Sequence, residues 1–233
     1  MRMSRAGLAL VAAGVALTAC SAGTAPTTAR ANVTSGYHGP EPVGGITRPS
    51  FVLTDTAGRR YDFAARTGGR PTFLYFGYVN CPDECPTAMA DLQAAIRRQP
   101  ASIRDEVRVV FVSTDPKRDT GPLIRRFLDQ WSTSFIGLTG TPAEVAAAVK
   151  TAGAVSELAG PQPTLKGRPN AHPERSGVPA HKHFGPLGYA VTHSDVIFAY
   201  DTSDRLPVVY PGGSTPSDIA ADLPVLASKK DRS

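Results

Sequence analysis

A chain of 233 residues, 41% of them hydrophobic and 19% charged, is long enough for one sizeable core and too apolar to remain disordered. Its formal charge of +5 arises from 25 basic and 20 acidic residues that are scattered, with no ladder of aromatic and basic side chains, which excludes nucleic acid as a partner. Three cysteines are too few for a disulfide scaffold.

Arg2 and Arg5 precede an apolar stretch, residues 6–17, that is too short to span a membrane and reads as a secretory signal. It runs into Leu17-Thr18-Ala19-Cys20, the pattern of a lipoprotein cleavage box. The expectation is a signal peptide over residues 1–19 and lipidation at Cys20. Residues 20–45, rich in Ala, Thr, Gly and Pro without apolar period, are expected to form a flexible tether. The folded domain is expected over 46–228, held by lipid at the extracytoplasmic face of the cell membrane. His38 falls in the tether, where it is expected to be solvated.

Phe51-Val52-Leu53 and Tyr61-Asp62-Phe63 flank Asp55-Thr56-Ala57-Gly58 and predict a short N-terminal β-hairpin. Residues 72–76 are apolar throughout and predict a strand buried on both faces. Met89, Leu92 and Ile96 recur at helical spacing behind Cys85-Pro86. Residues 107–112 predict a second buried strand, and Leu123, Ile124, Phe127 and Leu128 the next helix. Residues 134–138 read as a short strand, and Thr141-Pro142-Ala143-Glu144 as a capping box opening a helix through Val145 and Val149.

Residues 156–187 carry no period and read as a long insertion before the last hairpin. Tyr189-Ala190-Val191 and Val196-Ile197-Phe198-Ala199-Tyr200 predict strands around a turn at His193-Ser194-Asp195. Thr215-Pro216-Ser217-Asp218 opens a last helix that Pro224 is expected to end early or kink. Strands alternating with helices predict an α/β fold: a sandwich of thioredoxin type with a central mixed sheet flanked by helices.

The chemistry concentrates at Cys81-Pro82-Asp83-Glu84-Cys85-Pro86, where a buried strand turns into a helix. A thiolate is both nucleophile and soft metal ligand. A helix start favours negative charge, so both thiols are expected to ionise more readily than free cysteine. Two thiolates select Cu(I) or zinc, and an added imidazole admits copper in either oxidation state. Closed structural zinc needs four ligands. The C-x-x-x-C spacing is one residue longer than the dithiol motif of oxidoreductases and leaves room for a metal. A plain disulfide between neighbours would close too short a loop to add much stability. Five histidines, His38, His172, His181, His183 and His193, are available as a third ligand, and spacing alone does not choose among them.

Phe76-Gly77-Tyr78-Val79-Asn80-Cys81-Pro82-Asp83-Glu84-Cys85-Pro86-Thr87 resembles the signature of the SCO/SenC family, copper chaperones of cytochrome c oxidase assembly. Val112-Ser113-Thr114-Asp115-Pro116-Lys117-Arg118-Asp119-Thr120 resembles the family's second block, and Tyr189-Ala190-Val191-Thr192-His193-Ser194 its third. The resemblance implies a thioredoxin-like fold binding one copper, as Cu(I) or Cu(II), through Cys81, Cys85 and His193. Oxidation to a Cys81–Cys85 disulfide would abolish binding. It further implies the oxidase subunit with the dinuclear copper site as acceptor, together with an upstream copper donor and a thiol reductant. The stretch before His193 is longer than the family pattern, and its His172, His181 and His183 are either solvated or an auxiliary copper-capture arm. Asp115 and Asp119 are expected to cap the next helix or pair with Arg118, or else to tune His193. The alternative is an extracytoplasmic thiol–disulfide oxidoreductase, an enzyme in which Cys81 and Cys85 are the redox-active, catalytic pair.

Overall fold

Thr72-Phe73-Leu74-Tyr75-Phe76-Gly77 has no polar side to offer water, so it forms a strand covered on both faces. This strand, β3 (Thr72–Gly77), sends Phe73 and Tyr75 to one side and Leu74 and Phe76 to the other, all at most 1% exposed. In the computed structural model, which describes residues 36–154, 156–158, 191–193 and 195–228, β3 is an inner strand of the sheet.

Among the described residues the sheet has seven strands, in the order β2 (Arg60–Asp62), β1 (Val52–Asp55), β5 (Ile136–Thr139), β4 (Arg108–Ser113), β3, β8 (Val196–Tyr200) and β9 (Val208–Pro211). The inner strands β3, β4 and β5 run parallel, and the flanking pairs are antiparallel. One face is covered by α2 (Glu84–Arg97), α4 (Gly121–Leu128) and α6 (Pro216–Ala227), through Met89, Leu92, Ile124, Phe127, Ile219 and Leu223. The other is covered by α1 (Phe63–Thr67) and α5 (Pro142–Thr151), through Phe63, Val145 and Val149. Each such side chain contributes about 1.5–3 kcal/mol by leaving water. This is the sandwich of thioredoxin type that the alternation predicts. No helix among the described residues is long and apolar enough to cross a membrane.

Both helix starts read from Thr-Pro pairs hold. Thr141 and Glu144 bond reciprocally across the first turn of α5, and Thr215 and Asp218 do the same for α6. Four short elements were not predicted: α1, α3 (Ala101–Arg104) between α2 and β4, β6 (Ser156–Leu158) and the edge strand β9. The closing hairpin is β8 with β9, not two strands around His193. Instead, β7 (Val191–His193) pairs with β6 (Ser156–Leu158), so the expected insertion begins with a strand and His193 stands in one rather than in a turn. The rest of that insertion, the signal peptide, Cys20 and tether residues 20–35 lie outside the described residues.

The end of the expected tether is packed. Tyr37 is 5% exposed, Pro40 O accepts the Val209 N–H at 3.0 Å, and Ile46 O accepts that of Leu206 at 2.8 Å. Gly39 lies so close to β9 that a Cβ there would meet Val209 O at 2.4 Å. His38 is not merely solvated: its backbone N–H donates to Asp222 Oδ2 at 2.9 Å, and its Nδ1 lies 2.6 Å from Asp222 Oδ1. Asp222, fully buried on α6, also accepts the Tyr210 hydroxyl at 2.7 Å. A buried carboxylate needs such partners, and they strap the segment to the fold.

Pro224 neither ends nor removes the last turn of α6, which continues to Ala227. The N–H that proline lacks would have served the carbonyl four residues earlier, Ala220 O. Gln99 Nε2 donates to that carbonyl at 2.8 Å from the end of α2. A side chain distant in sequence thus replaces the missing backbone donor.

Gln99→Leu is expected to destabilise the fold by about 1–3 kcal/mol, the cost of a buried carbonyl left without its donor. Pro224→Ala should recover most of that loss in the Gln99→Leu background, because it restores the backbone N–H; urea midpoints of the four forms read the coupling. The Asp222 carboxylate raises the His38 pKa, chiefly through their hydrogen bond. The ionic part of this contact is therefore complete below the unfolded histidine value of about 6.5 and is lost as pH rises through the higher folded value. The stability difference between wild type and His38→Gln should shrink with increasing pH across that window, as read by thermal unfolding.

Candidate metal centre

β3 ends at Gly77, and the chain takes one loop before α2 begins at Glu84, at the carboxyl ends of the parallel strands where open α/β sheets leave a crevice. The Cys81 N–H donates to Tyr78 O at 3.2 Å, and Cys81 Sγ in turn accepts the Cys85 N–H at 3.4 Å. The first sulfur thereby takes one of the unpaired donors at the helix start. Pro86, the next residue, has no N–H to satisfy.

Cys81 and Cys85 are not joined in a disulfide and both are buried, Cys81 at 8% exposure and Cys85 at 0%. Cys85 Sγ lies beside Cys81 and receives the Tyr78 backbone N–H, with the Tyr75 hydroxyl 3.8 Å away. The Tyr78 hydroxyl bonds with Cys81. A Cβ at Gly77 would come within 2.7 Å of Cys85 Sγ, so only glycine lets α2 seat its cysteine against β3.

The ionisation expected from the helix start is reversed at Cys85. Burial pushes this thiol well above its ordinary value, and the neighbouring Cys81 adds to the shift; the donors from Tyr78 and Tyr75 act the other way without overcoming it. Desolvation outweighs the helix field because the sulfur has no contact with water. Without a bound cation, Cys85 is a neutral thiol.

The loop is fixed from its other side by the segment after β4. Thr114 donates to Gly77 O from its N–H at 2.7 Å and its hydroxyl at 3.1 Å. Asp119 Oδ2 accepts the Val79 N–H at 2.9 Å and the Ser113 hydroxyl at 2.7 Å. Burial raises the Asp119 pKa. Asp119 therefore braces the cysteine loop instead of capping α4, whose N-cap is Thr120, while Asp115 does pair with Arg118.

His193 ends β7, two residues before Asp195. Asp195 is pinned twice: its carboxylate accepts the Tyr75 hydroxyl at 3.1 Å, and its carbonyl accepts the Gly212 N–H at 2.9 Å. Tyr75 thus touches both Cys85 and the residue that follows His193 by two, which holds the His193 backbone within about 7 Å of Asp195. The His193 side chain, like those of His172, His181 and His183, lies outside the described residues. Among the described residues, no group of three His, Cys, Asp or Glu is arranged to hold a metal. The described part of the expected ligand set is the cysteine pair. Sequence reasoning missed Tyr75, Tyr78 and Gly77; the usable signal was that Tyr75 and Gly77 alternate onto the strand face that α2 covers.

The SCO1/SenC family profile matches residues 41–228. Protein SenC of Rhodobacter capsulatus is 44% identical over 81 residues, 35% of this chain and 36% of that protein. Alignments of this kind span about a third of the length of the first curated relatives. Among solved structures, Bradyrhizobium japonicum ScoI with copper bound is similar at 26% identity and a TM-score of 0.59, over 78% of this chain and all (100%) of that one. The apo Sco1 protein from Thermus thermophilus is similar at 25% identity and a TM-score of 0.64, over 82% of this chain and 97% of that one. Because the family match takes in the cysteine loop, every strand of the main sheet and the last helix, the chain belongs to the SCO1/SenC family.

Proposed function

We propose that this protein is a copper metallochaperone that holds one copper through Cys81, Cys85 and His193 and passes it to the dinuclear copper site of cytochrome c oxidase. The observation that carries this reading is the pair of buried thiols seated side by side at the end of β3, with fixed donors around the sulfurs. A neutral, fully buried Cys85 makes a poor nucleophile, which disfavours the oxidoreductase alternative. A cation that replaces its proton relieves the charge that burial penalises. Two thiolates and an imidazole suit Cu(I), and an added ligand would admit Cu(II). The similarity to a ScoI structure solved with copper bound supports the choice of metal.

The cargo is copper, and loading it releases the proton that Cys85 holds. Tyr75 and Asp195 serve the site by holding the chain next to His193 beside Cys85. The acceptor on this reading is the oxidase subunit with the dinuclear site, served by an upstream copper donor and a thiol reductant that keeps Cys81 and Cys85 from closing into a disulfide. Arg2, Arg5, the apolar run and the box before Cys20 support work at the extracytoplasmic face, tethered by lipid on Cys20.

Anaerobic titration of the reduced protein should show one tight copper per chain, lost in Cys81→Ser/Cys85→Ser and weakened at least about tenfold in His193→Ala. Unchanged affinity in His193→Ala would remove that residue from the site. No tight copper, with a readily cycled dithiol instead, would overturn the chaperone reading in favour of the oxidoreductase. Gly77→Ala should push Cys85 away from β3, weaken copper binding and cost about 1–3 kcal/mol of stability, as read by the same titration and a urea transition.

A further inference from the structure

A cavity of about 590 Å³ opens where α2 and α3 pass the amino-terminal ends of β4 and β5. It is remote from the cysteines: β4 begins at Arg108 on the cavity and ends at Ser113 beside the cysteine loop, about 17 Å away at the rise of a strand. Nothing in the copper chemistry uses it.

Its floor is apolar, with Phe135 buried at 3% exposure, and Trp131 packs half-buried against the same core. Arg97, Arg104 and Arg108 stand around it, against one acid, Asp105. Arg108 Nη1 donates to the carbonyls of Asp105 and Val107, both at 3.0 Å, so its charge is fixed in place without a carboxylate partner among the described residues. Arg97 is exposed and pairs with no carboxylate among the described residues. Arg104 reaches Asp105 only at 3.6 Å, with both side chains largely in water, a contact that contributes little and is readily exchanged.

The longer segments outside the described residues are poor in acid: residues 1–35 contain none, residues 159–190 contain Glu174 against Lys166, Arg168, Arg175 and Lys182, and residues 229–233 contain Asp231 against Lys229, Lys230 and Arg232. Charge complementarity therefore points to another molecule. The concave shape and apolar floor suit an inserted side chain flanked by carboxylates, whereas a layer of lipid headgroups would call for a flat basic surface. The volume is far larger than a single small anion needs.

We propose that this groove docks an acidic peptide segment of a partner protein, an apolar side chain lying against Trp131 and Phe135 and carboxylates pairing with Arg97 and Arg104. The docking face and the cysteine pair are at opposite ends of the sheet, so both can be engaged at once.

Trp131 is the chain's 1 tryptophan, so its fluorescence reports the groove directly. The test titrates the full chain with an acetylated pentapeptide carrying leucine between pairs of glutamates, and in parallel with its lysine counterpart and with anionic phospholipid vesicles. The expected result is a saturable change with the glutamate peptide alone, weakened several-fold between about 0.05 and 0.3 M salt. Arg97→Glu/Arg104→Glu, which alters only exposed side chains, should weaken it at least about tenfold. No change, an equal change with the lysine peptide, or an undiminished response in the double variant would overturn the proposal. A response to vesicles and not to the peptide would overturn it in favour of a membrane contact.

Discussion

The cysteine pair depends on how closely the first turn of α2 approaches the end of β3. With no Cβ at Gly77, Cys85 Sγ can lie against the strand, within reach of Tyr75 and the Tyr78 N–H and out of contact with water. Two opposing effects meet at that sulfur. A helix terminus contributes about 0.3–1 kcal/mol toward charge, while full burial shifts a pKa by up to about 3–5 units, each about 1.4 kcal/mol. Burial wins, and the thiol is kept protonated until something positive arrives. The same closeness that keeps water from Cys85 seats its sulfur beside Cys81.

Much of this architecture is legible in the sequence because it follows from period and punctuation. The all-apolar run at 72–76, the helical spacing of Met89, Leu92 and Ile96, and the two Thr-Pro capping boxes each specify their element locally. What sequence reading missed depends on partners distant along the chain. Pro224 is tolerated because of Gln99, and residues 37–40 are ordered by β9 and by a carboxylate on α6. β9 is short, and its Val208-Val209-Tyr210 run is bounded by Pro207 and Pro211, residues that argue against a strand unless it lies at a sheet edge. At the site, the two cysteines are evident from their motif, but the ionisation of Cys85 is not. A helix start can be read from residue order, whereas the depth of burial depends on how closely two elements pack.

The edges of the sheet are held by buried charge as much as by apolar packing. Arg48, 8% exposed, donates to Asp204, Thr67 and the carbonyls of Arg70 and Asp201, with its guanidinium 5.1 Å from the Tyr200 ring centre. It joins the segment before β1 to the turn between β8 and β9, as Asp222 joins the preceding residues to α6. Both rely on groups that would be costly to bury alone and are therefore position-specific in a way that apolar contacts are not. Strand β8 is thus fixed at both ends, by Arg48 at Asp201 and by Tyr75 at Asp195, and the chain that bears His193 enters the fold from a rigid element.

The two sulfurs differ in one respect that bears on exchange kinetics. Cys81 retains a little contact with solvent, 8%, while Cys85 has none, 0%. Anything that approaches through water reaches Cys81 first, because Cys85 presents no surface to it. The pair is therefore asymmetric toward solvent, and a water-borne thiol reagent distinguishes its two members by access alone.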